Sequence, residues 1–293
     1  MKEFIFTNET LLEIVAIIKN RIKYIDYDFL IKVDLNLLNR IELQSWFDLA
    51  QIFLCKIIDI NKNNIFIVFS IKKLNTASRF NNTNHSKKEK YGLDSNFFKL
   101  EKNNYTSFIY YYKEALEYSN LTSKKRILNL GINRGDEFVF IKELIGNEEY
   151  NKKTLYGIDY SKSIIDYNKE YFNNHHINFI CHDINFIETL NIGLFDLIIS
   201  IATLQVLNIN LEKILLYMIN NCLSTKGSII IAFPNCRWLD TDMIYGAVMP
   251  LTKEQNMNRI FEQVTYCKKV FEANNFEVFI NGKDYIFITA NKK

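Results

Sequence analysis

The sequence predicts an α/β protein with a doubly wound, mostly parallel seven-stranded sheet, an antiparallel C-terminal hairpin and a small N-terminal α/β domain. The first observation is a series of five short runs that are apolar on both faces and alternate with helix-like segments, as buried parallel strands do. In order they are RILNLG at 126–131, LYGIDY at 155–160, INFICHD at 177–183, FDLIISI at 195–201 and SIIIAFP at 228–234.

The second observation is a pair of strand-like runs near the C-terminus, FEVFI at 276–280 and YIFITA at 285–290. Only NGKD separates them, and the pair Asn281-Gly282 is a signal for a hairpin turn. The two runs therefore complete the sheet as its antiparallel sixth and seventh strands.

A third group of signals marks a separate, small α/β domain at the N-terminus. Alternating runs at 29–36 and 64–74 predict strands, and apolar residues at helical spacing over 45–58 predict a helix. The chain then turns polar, with NNTNHSKKEK at the centre of this stretch, which predicts a linker or a loop that covers a site. The predicted domains are 1–75, the linker or loop 76–104, and the larger domain 105–293.

Composition and charge restrict the classes of partner. The 293 residues include 36 basic and 33 acidic side chains, a formal net charge of +3, which argues against a nucleic-acid or membrane partner because such partners need clustered charge. Five cysteines are scattered singly, without metal-ligand spacing, so the sequence predicts a reducing cytoplasm and no metal site. Glu3, Glu9 and Glu13 interrupt the apolar N-terminal stretch, which argues against a signal peptide or a spanning helix there.

The segment most informative about chemistry is RILNLGINRGDEF at 126–138, where a buried strand leads through glycines into a helix. Open α/β sheets bind cofactors at such turns. A dinucleotide fingerprint would need glycines where Asn133 and Asp136 stand, and the lysine and hydroxyl of a phosphate loop are absent. The sequence therefore predicts neither of these two cofactor sites.

LNLGINRGD resembles the first motif of class I S-adenosylmethionine (SAM)-dependent methyltransferases, an acidic residue followed by Leu-Gly-x-Gly-x-Gly. Gly131 and Gly135 match the outer glycines. Asn133 replaces the central glycine, and asparagine tolerates a positive φ better than most residues. Asn129 replaces the acidic residue, and its amide oxygen can still accept a hydrogen bond from the methionine ammonium group of SAM. The resemblance implies that these four residues bind SAM.

Later strand ends resemble the remaining landmarks of that family in the expected order. The resemblance implies that Asp159 accepts hydrogen bonds from both ribose hydroxyls, with Tyr160 beside it in the cofactor site. It implies that Asp183 accepts from the adenine amino group and that the Ile184 amide donates to a ring nitrogen. Ser200, in the fourth strand, completes the implied cofactor-binding set. For an aspartate at a strand end, a helix cap is the alternative role.

The resemblance spans about residues 105–293 and implies an enzyme that transfers a methyl group from SAM. We expect a small-molecule acceptor, because the segment 236–257 after the fifth strand is long, polar and aromatic, as a lid over a small ligand would be. Gln205, Arg237 and Tyr245 are the candidates for acceptor contact, and none is a distinctive general base. The alternative for the segment is a surface helix whose aromatic side chains belong to the core.

Two other functions stay open at this point. An RNA methyltransferase would use the N-terminal domain to bind RNA, although residues 1–75 lack a basic, aromatic-rich strand surface. A non-catalytic SAM-binding or scaffold protein is the other alternative, because Asn129, Asn133 and Gln205 depart from the family pattern. The sequence predicts neither the acceptor atom nor the oligomeric state.

Overall fold

A computed structural model gives the structure of the chain. It describes residues 2–25, 27–74, 89, 91–206, 208–239, 242–246 and 258–293. The chain forms two compact units, Met1–Arg79 with Trp238–Ile244, and Phe80–Arg237 with Tyr245–Lys293. Each unit has its own sheet and its own apolar core.

The first unit is built on a four-stranded sheet. Its elements are β1 (Lys2–Phe6), α1 (Leu11–Arg21), β2 (Phe29–Asp34), α2 (Leu35–Arg40), α3 (Leu43–Ile52), β3 (Cys55–Lys62) and β4 (Phe66–Lys73). The strand order is β1-β2-β4-β3, with β1 parallel to β2 and β4 antiparallel to both of its neighbours. Phe29, Ile31 and Val33 of β2 alternate with less buried residues, so one face of the sheet packs into the core. Ile14 of α1 and Trp46 of α3 belong to that core.

The second unit contains the predicted seven-stranded sheet. From residue 126 onward the strands are β5 (Arg126–Leu130), β6 (Thr154–Asp159), β7 (Ile177–Cys181), β8 (Phe195–Ile201), β9 (Leu223–Pro234), the short pair β10 (Cys236–Leu239) and β11 (Asp242–Tyr245), β12 (Phe276–Gly282) and β13 (Tyr285–Lys292). The sheet order is β12-β13-β9-β8-β5-β6-β7. The five strands from β9 to β7 are parallel, and β13 is antiparallel to β9 and β12. The predicted fold class is therefore confirmed.

The order of the strands determines where a ligand can bind. The helices described in this unit are α4 (Thr106–Tyr118), α5 (Asp136–Asn151), α6 (Lys162–Phe172), α7 (Leu211–Tyr217) and α8 (Asn258–Ala273). β5 lies between β6 and β8, so the chain proceeds from β5 toward one edge and then returns to its other side. Open α/β sheets bind ligands at the carboxyl ends of the strands on either side of such a switch point. Among the described residues, no helix is long and apolar enough to cross a membrane.

The C-terminal hairpin is present, but its turn lies later than Asn281-Gly282. β12 continues through Gly282, which pairs with Ile286, and only Lys283 and Asp284 connect the two strands. Gly282 has a φ of 136°, and a side chain there would collide with backbone atoms of the facing strand. The glycine therefore serves a close backbone approach at the end of the strand rather than the centre of the turn.

Candidate functional site

The loop between β5 and α5 has a backbone conformation that few residues tolerate. Gly131, Asn133 and Gly135 have φ values of 76°, 44° and 79°. The left-handed region is accessible to glycine at no steric cost and to asparagine more readily than to most other residues. The N–H groups of Gly131 and Ile132 both donate to the carbonyl of Ile158, at 2.8 and 3.1 Å. The expectation that Asn133 accepts a positive φ is confirmed, and the loop is tied to β6.

Packing gives both glycines a second reason to lack a side chain. A Cβ atom at Gly131 would collide with the side chain of Thr203, which follows β8. A Cβ atom at Gly135 would collide with the ring of Phe172 and approach the amide oxygen of Asn168, both in α6. The glycine loop therefore fits closely between the loop after β8 on one side and α6 on the other. Both positions therefore exclude a side chain.

Asp159 ends β6 and faces the glycine loop. Its Oδ2 accepts the N–H of Asn133 and its Oδ1 accepts the N–H of Ser161, both at 3.0 Å. Burial raises the pKa of this carboxyl, and the backbone N–H groups of Ser161 and Asn133 oppose the shift. A carboxylate offers about four lone pairs, so two hydrogen bonds leave capacity for a pair of ribose hydroxyls. Ser161 itself caps α6 through its side chain, so Asp159 is not the cap of that helix.

A second carboxylate, Glu89, lies close to Asp159. It accepts hydrogen bonds from the hydroxyls of Ser161 and Ser163 at the start of α6. Burial acts to raise the pKa of Glu89, but the two serine hydroxyls outweigh it and hold the pKa below its ordinary value. The negative charge of Glu89 in turn helps to raise the pKa of Asp159. Sequence reasoning missed Glu89 because it stands in the polar stretch 76–104, where no periodic pattern singles it out.

The part of the predicted linker that the structure describes lies on the glycine loop. The side-chain amide of Asn133 donates to the carbonyl of Phe97 at 3.3 Å, and Arg134 donates to the carbonyl of Phe98 at 3.1 Å. The N–H of Leu93 donates to the Ser163 hydroxyl at 3.3 Å. These contacts agree with a loop that covers a site. The predicted boundaries at 75 and 104 stay predictions.

A buried ion pair fastens the end of this segment to α5. The ammonium of Lys102 lies 2.6 Å from Oε1 of Glu137, and the N–H of Lys102 donates to Asp136 at 2.9 Å. Burial acts to lower the pKa of Lys102, but the carboxylates of Glu137 and Asp136 hold it above its ordinary value. Burial raises the pKa of Glu137 and Lys102 opposes that shift, so the two side chains depend on each other. No pattern in the sequence connects position 102 with position 137.

Asn129 and Ser200 lie in the adjacent strands β5 and β8 and have different environments. Asn129 is 1% exposed, and both its amide oxygen and its amide nitrogen are buried without a hydrogen-bond partner. Buried polar atoms are nearly always paired, so an amide in this state suits a ligand group, such as the ammonium that the resemblance assigns to it. The hydroxyl of Ser200 donates to the carbonyl of Leu130 at 3.2 Å, which links β8 to β5. Its predicted contact with the cofactor is untested.

The candidates after β6 and β7 line the same edge of the sheet. Oδ1 of Asp183 accepts the N–H of Asn185 at 2.9 Å, so this aspartate caps the short turn that follows. Its Oδ2 accepts nothing from the residues that the structure describes. Ile184 is buried, and Tyr160 is exposed at the end of β6. Asp183 thus combines the alternative role of a cap with a free carboxylate oxygen for an amino group.

The acceptor candidates lie at the same carboxyl edge of the sheet, further along, after β8 and β9. These two strands are adjacent and parallel, and the N–H of Ala202 donates to the carbonyl of Ala232 at 2.9 Å. Oε1 of Gln205 and Nε of Arg237 are both buried without a hydrogen-bond partner. The Gln205 carbonyl accepts a hydrogen bond from Arg259 of α8 at 2.6 Å, a contact that sequence reasoning missed. The side chain of Tyr245 and residues 247–257 lie outside the described part of the chain, so the lid prediction stays untested.

Comparison with known proteins was made for sequence families, curated proteins and solved structures. Residues 135–231 match the family model described as a methyltransferase domain. No curated protein sequence matches the chain. The solved structures that align with it include the plantazolicin methyltransferase BpumL in complex with S-adenosylhomocysteine (SAH), at 15% identity over 68% of this chain and 91% of that chain, with a TM-score of 0.47. They also include the plantazolicin methyltransferase BamL with a triazolic desmethylPZN analog and SAH, at 14% identity over 68% and 90%, TM-score 0.49. A SAM-dependent methyltransferase from Aquifex aeolicus aligns at 12% identity over 61% and 90%, TM-score 0.43.

The sheet order, the glycine loop and the family match define a class I methyltransferase domain. Residues 135–231 match a methyltransferase domain, the enzyme is a SAM-dependent methyltransferase, and SAM is its cofactor. The family, the enzyme class and the cofactor predicted from the sequence are confirmed. The unpaired amide of Asn129 and the available lone pairs of Asp159 fit SAM. The roles of the individual residues stay predictions.

Proposed function

We propose that the protein transfers the methyl group of SAM to a small-molecule acceptor that binds beside Gln205 and Arg237. The cofactor half of this proposal uses the residues assigned above. Asp159 binds the two ribose hydroxyls, Asn129 accepts from the methionine ammonium, and Asp183 accepts from the adenine amino group. The glycine loop lets the backbone approach the cofactor closely at Gly131 and Gly135, which carry no side chain.

The reaction itself asks for position more than for acid or base groups. When SAM is bound it supplies an electrophilic methyl group; the S–CH3 bond breaks, the methyl bonds to a lone pair of the acceptor, and SAH remains. Gln205 and Arg237 do not remove protons at neutral pH, so they bind and orient. An acceptor atom with an available lone pair suits such a site, because alignment behind the methyl carbon can contribute much of the rate enhancement.

The burial of Gln205 Oε1 and Arg237 Nε is the single observation that carries the choice of a small acceptor. A macromolecular acceptor would be held mainly by groups at the surface, and nucleic acids in particular are held by clustered, exposed basic side chains. Polar atoms that are enclosed and unpaired can be reached only by a ligand small enough to be enclosed with them. The acceptor proposal therefore favours a metabolite over an RNA.

The proposal is tested with methyl-labelled SAM and a cell extract divided by ultrafiltration into small and large molecules. We expect label in the small-molecule fraction with the wild-type protein and a large loss of label with Asp159→Ala. Label in RNA or protein would refute the small acceptor. Binding of SAH with no transfer to any fraction would instead support the non-catalytic alternative.

Cys181 offers an independent test of where the cofactor lies. It ends β7 beside Asp159 in the sheet register, and it is exposed, whereas the other four cysteines are buried. We expect saturating SAH to slow the reaction of Cys181 with a thiol reagent. Because the buried cysteines react slowly, a Cys181→Ser variant serves as the baseline. An unchanged rate of labelling with SAH bound would place the cofactor away from the end of β7.

A further inference from the structure

We propose that the acceptor carries an anionic group, a carboxylate or a phosphate, which Arg237 binds, together with an N–H or O–H donor for unpaired amide oxygens at the same edge of the sheet. This inference rests on the proposed function and names the substrate class of the same site. It starts from the charge state of a buried side chain and is independent of the cofactor residues.

Arg237 is a buried cation with no counter-ion among the residues that the structure describes. The residue is 9% exposed, its Nε has no hydrogen-bond partner, and it forms no ion pair with the residues that the structure describes. Burial lowers its pKa, and no carboxylate opposes the shift. A guanidinium stays charged under these conditions, and a buried charge is costly unless it is paired. An anionic ligand would supply the missing partner.

One buried acid at this edge, Asp284, is already engaged. Asp284, in the turn between β12 and β13, accepts a hydrogen bond from the Ser107 hydroxyl, and its carbonyl accepts the N–H of Asn235 at 2.7 Å. Asp284 is buried and raises the pKa of the Cys236 thiol, although burial of the thiol is the larger cause. Asp284 therefore lies near position 236 but forms no ion pair with Arg237.

Two amide oxygens without hydrogen-bond partners belong to the same edge of the sheet as Arg237. Asn235 directs its Nδ2 to the Lys283 carbonyl at 2.9 Å, while its Oδ1 is buried without a partner. Gln205 contributes the second unpaired oxygen, Oε1. Asn235 and Arg237 follow β9, and Gln205 follows the adjacent β8, so all three belong to one edge of the sheet. Together they offer one charged donor and two neutral acceptors.

This donor set selects a class of ligand. A guanidinium presents N–H groups in a planar fork that matches a carboxylate or phosphate. Amide oxygens accept from N–H or O–H groups only. Amino acids, hydroxy acids and phosphorylated amines or alcohols carry both features. A neutral ligand would leave the charge of Arg237 unpaired, and a purely anionic one would leave the amide oxygens of Asn235 and Gln205 unpaired.

An RNA phosphate is the competing anion, and burial argues against it. Arginines that bind a nucleic-acid backbone work from exposed positions in clusters, and binding there falls steeply with salt. A residue that is 9% exposed is inaccessible to a continuous phosphate backbone. The inference therefore commits to a small anionic ligand, and RNA binding becomes an outcome of the test.

The test titrates the SAH-saturated full chain with inorganic phosphate or with acetate, against chloride at equal ionic strength, and follows the midpoint of thermal unfolding. We expect one of the two anions to raise the midpoint saturably. Arg237→Met should weaken that anion by about 10- to 150-fold, the loss expected for charge-assisted hydrogen bonds. Arg237→Lys keeps the charge without the planar fork, so its affinity for the anion should lie between those of the wild type and Arg237→Met. Arg21→Met, at an exposed position of α1, is the matched control and should respond as the wild type does.

The midpoint of thermal unfolding of the unliganded protein is a second readout. Arg237→Met should shift this midpoint in opposite directions for a ligand-binding arginine and for a structural arginine. If the partner of Arg237 is a ligand, Arg237→Met removes an unpaired buried charge from the unliganded protein. The midpoint should then rise, by about 2–4 °C for each kcal/mol gained in the free energy of unfolding. A lowered midpoint with an unchanged response to anions would show a structural arginine and overturn the inference. Salt-sensitive binding of a short RNA that is lost in Arg237→Met would also overturn it. Calorimetry with SAH on the same proteins distinguishes these results from failure of the proposed function, which would appear as absent SAH binding or absent methyl transfer.

Discussion

Replacement of Asp159 by alanine tests the central assignment of the cofactor site. The carboxylate accepts two backbone N–H groups, from Asn133 and Ser161 at 3.0 Å each, and is proposed to accept the two ribose hydroxyls as well. The variant therefore has two separate consequences. It removes the ribose contacts, which weakens the cofactor, and it leaves two N–H groups without an acceptor, which weakens the fold.

The magnitudes follow from the kinds of hydrogen bond involved. Hydrogen bonds to a charged group contribute about 1.5–3 kcal/mol, so SAH affinity should fall by about 10- to 150-fold at 1.4 kcal/mol per tenfold change. Loss of the acceptor for two backbone N–H groups should lower the free energy of unfolding by about 1–3 kcal/mol. Isothermal titration calorimetry with SAH measures the first quantity, and urea denaturation measures the second.

Asp196 supplies a matched control from the opposite edge of the same sheet. At the start of β8, its Oδ2 accepts the N–H groups of Lys125 and Arg126, both at 3.0 Å, and its Oδ1 accepts the Ser224 hydroxyl. Asp196→Ala should therefore reduce stability comparably but leave SAH affinity unchanged. If both variants lose affinity equally, the loss reflects the fold and the ribose assignment is wrong. Unchanged affinity in Asp159→Ala would refute it directly.

Three further perturbations have predicted outcomes. Lys102→Met leaves the buried carboxylate of Glu137 unpaired and should lower the free energy of unfolding, measured by urea denaturation, by about 3–5 kcal/mol. Adding Glu137→Gln should restore much of this free energy, and no recovery would contradict the pairing. Gly131→Ala combines a left-handed backbone with a steric collision, whereas Gly193→Ala has a φ of 75° and only an ordinary contact, so Gly131→Ala should lose more than the ~1–2 kcal/mol of backbone strain expected at Gly193. Burial raises the pKa of Asp159, so lowering the pH through that pKa should weaken SAH binding by up to about tenfold per pH unit. The same change of pH should make the unliganded fold more stable. Asp159→Asn should abolish both pH dependences.

The sequence predicted the sheet well because buried parallel strands are the most regular signal in the chain. Each of the five apolar runs overlaps one of the strands β5 to β9, and the strand-end aspartates fall at the carboxyl edge. The predicted position of the hairpin turn was wrong, because Asn281-Gly282 also suits the end of a strand where two backbones approach closely. Local propensity could not distinguish these two uses of a glycine.

The candidate site was only partly predictable, for a physical reason. Asp159 stands directly after a recognisable strand, so its place follows from the pattern. Glu89 and Lys102 lie in a polar segment, and their partners Ser161, Ser163 and Glu137 are 35 to 74 residues away. Such pairings depend on the tertiary path of the chain. The burial of Arg237 and its lack of an ion-pair partner among the described residues likewise follow only from the structure, because neither is a property of the sequence.

The departure of the glycine loop from the family pattern carries less weight in the structure than in the sequence. At position 133 the loop contributes its backbone, because the N–H of Asn133 donates to Asp159 and its carbonyl accepts from Asn168 at 2.6 Å. Both bonds form while Asn133 has a φ of 44°, and neither needs the absence of a side chain. The asparagine side chain adds a bond to the carbonyl of Phe97 in the covering segment. A substitution that would argue for a non-catalytic relative therefore preserves the turn and gains a contact with the segment above it.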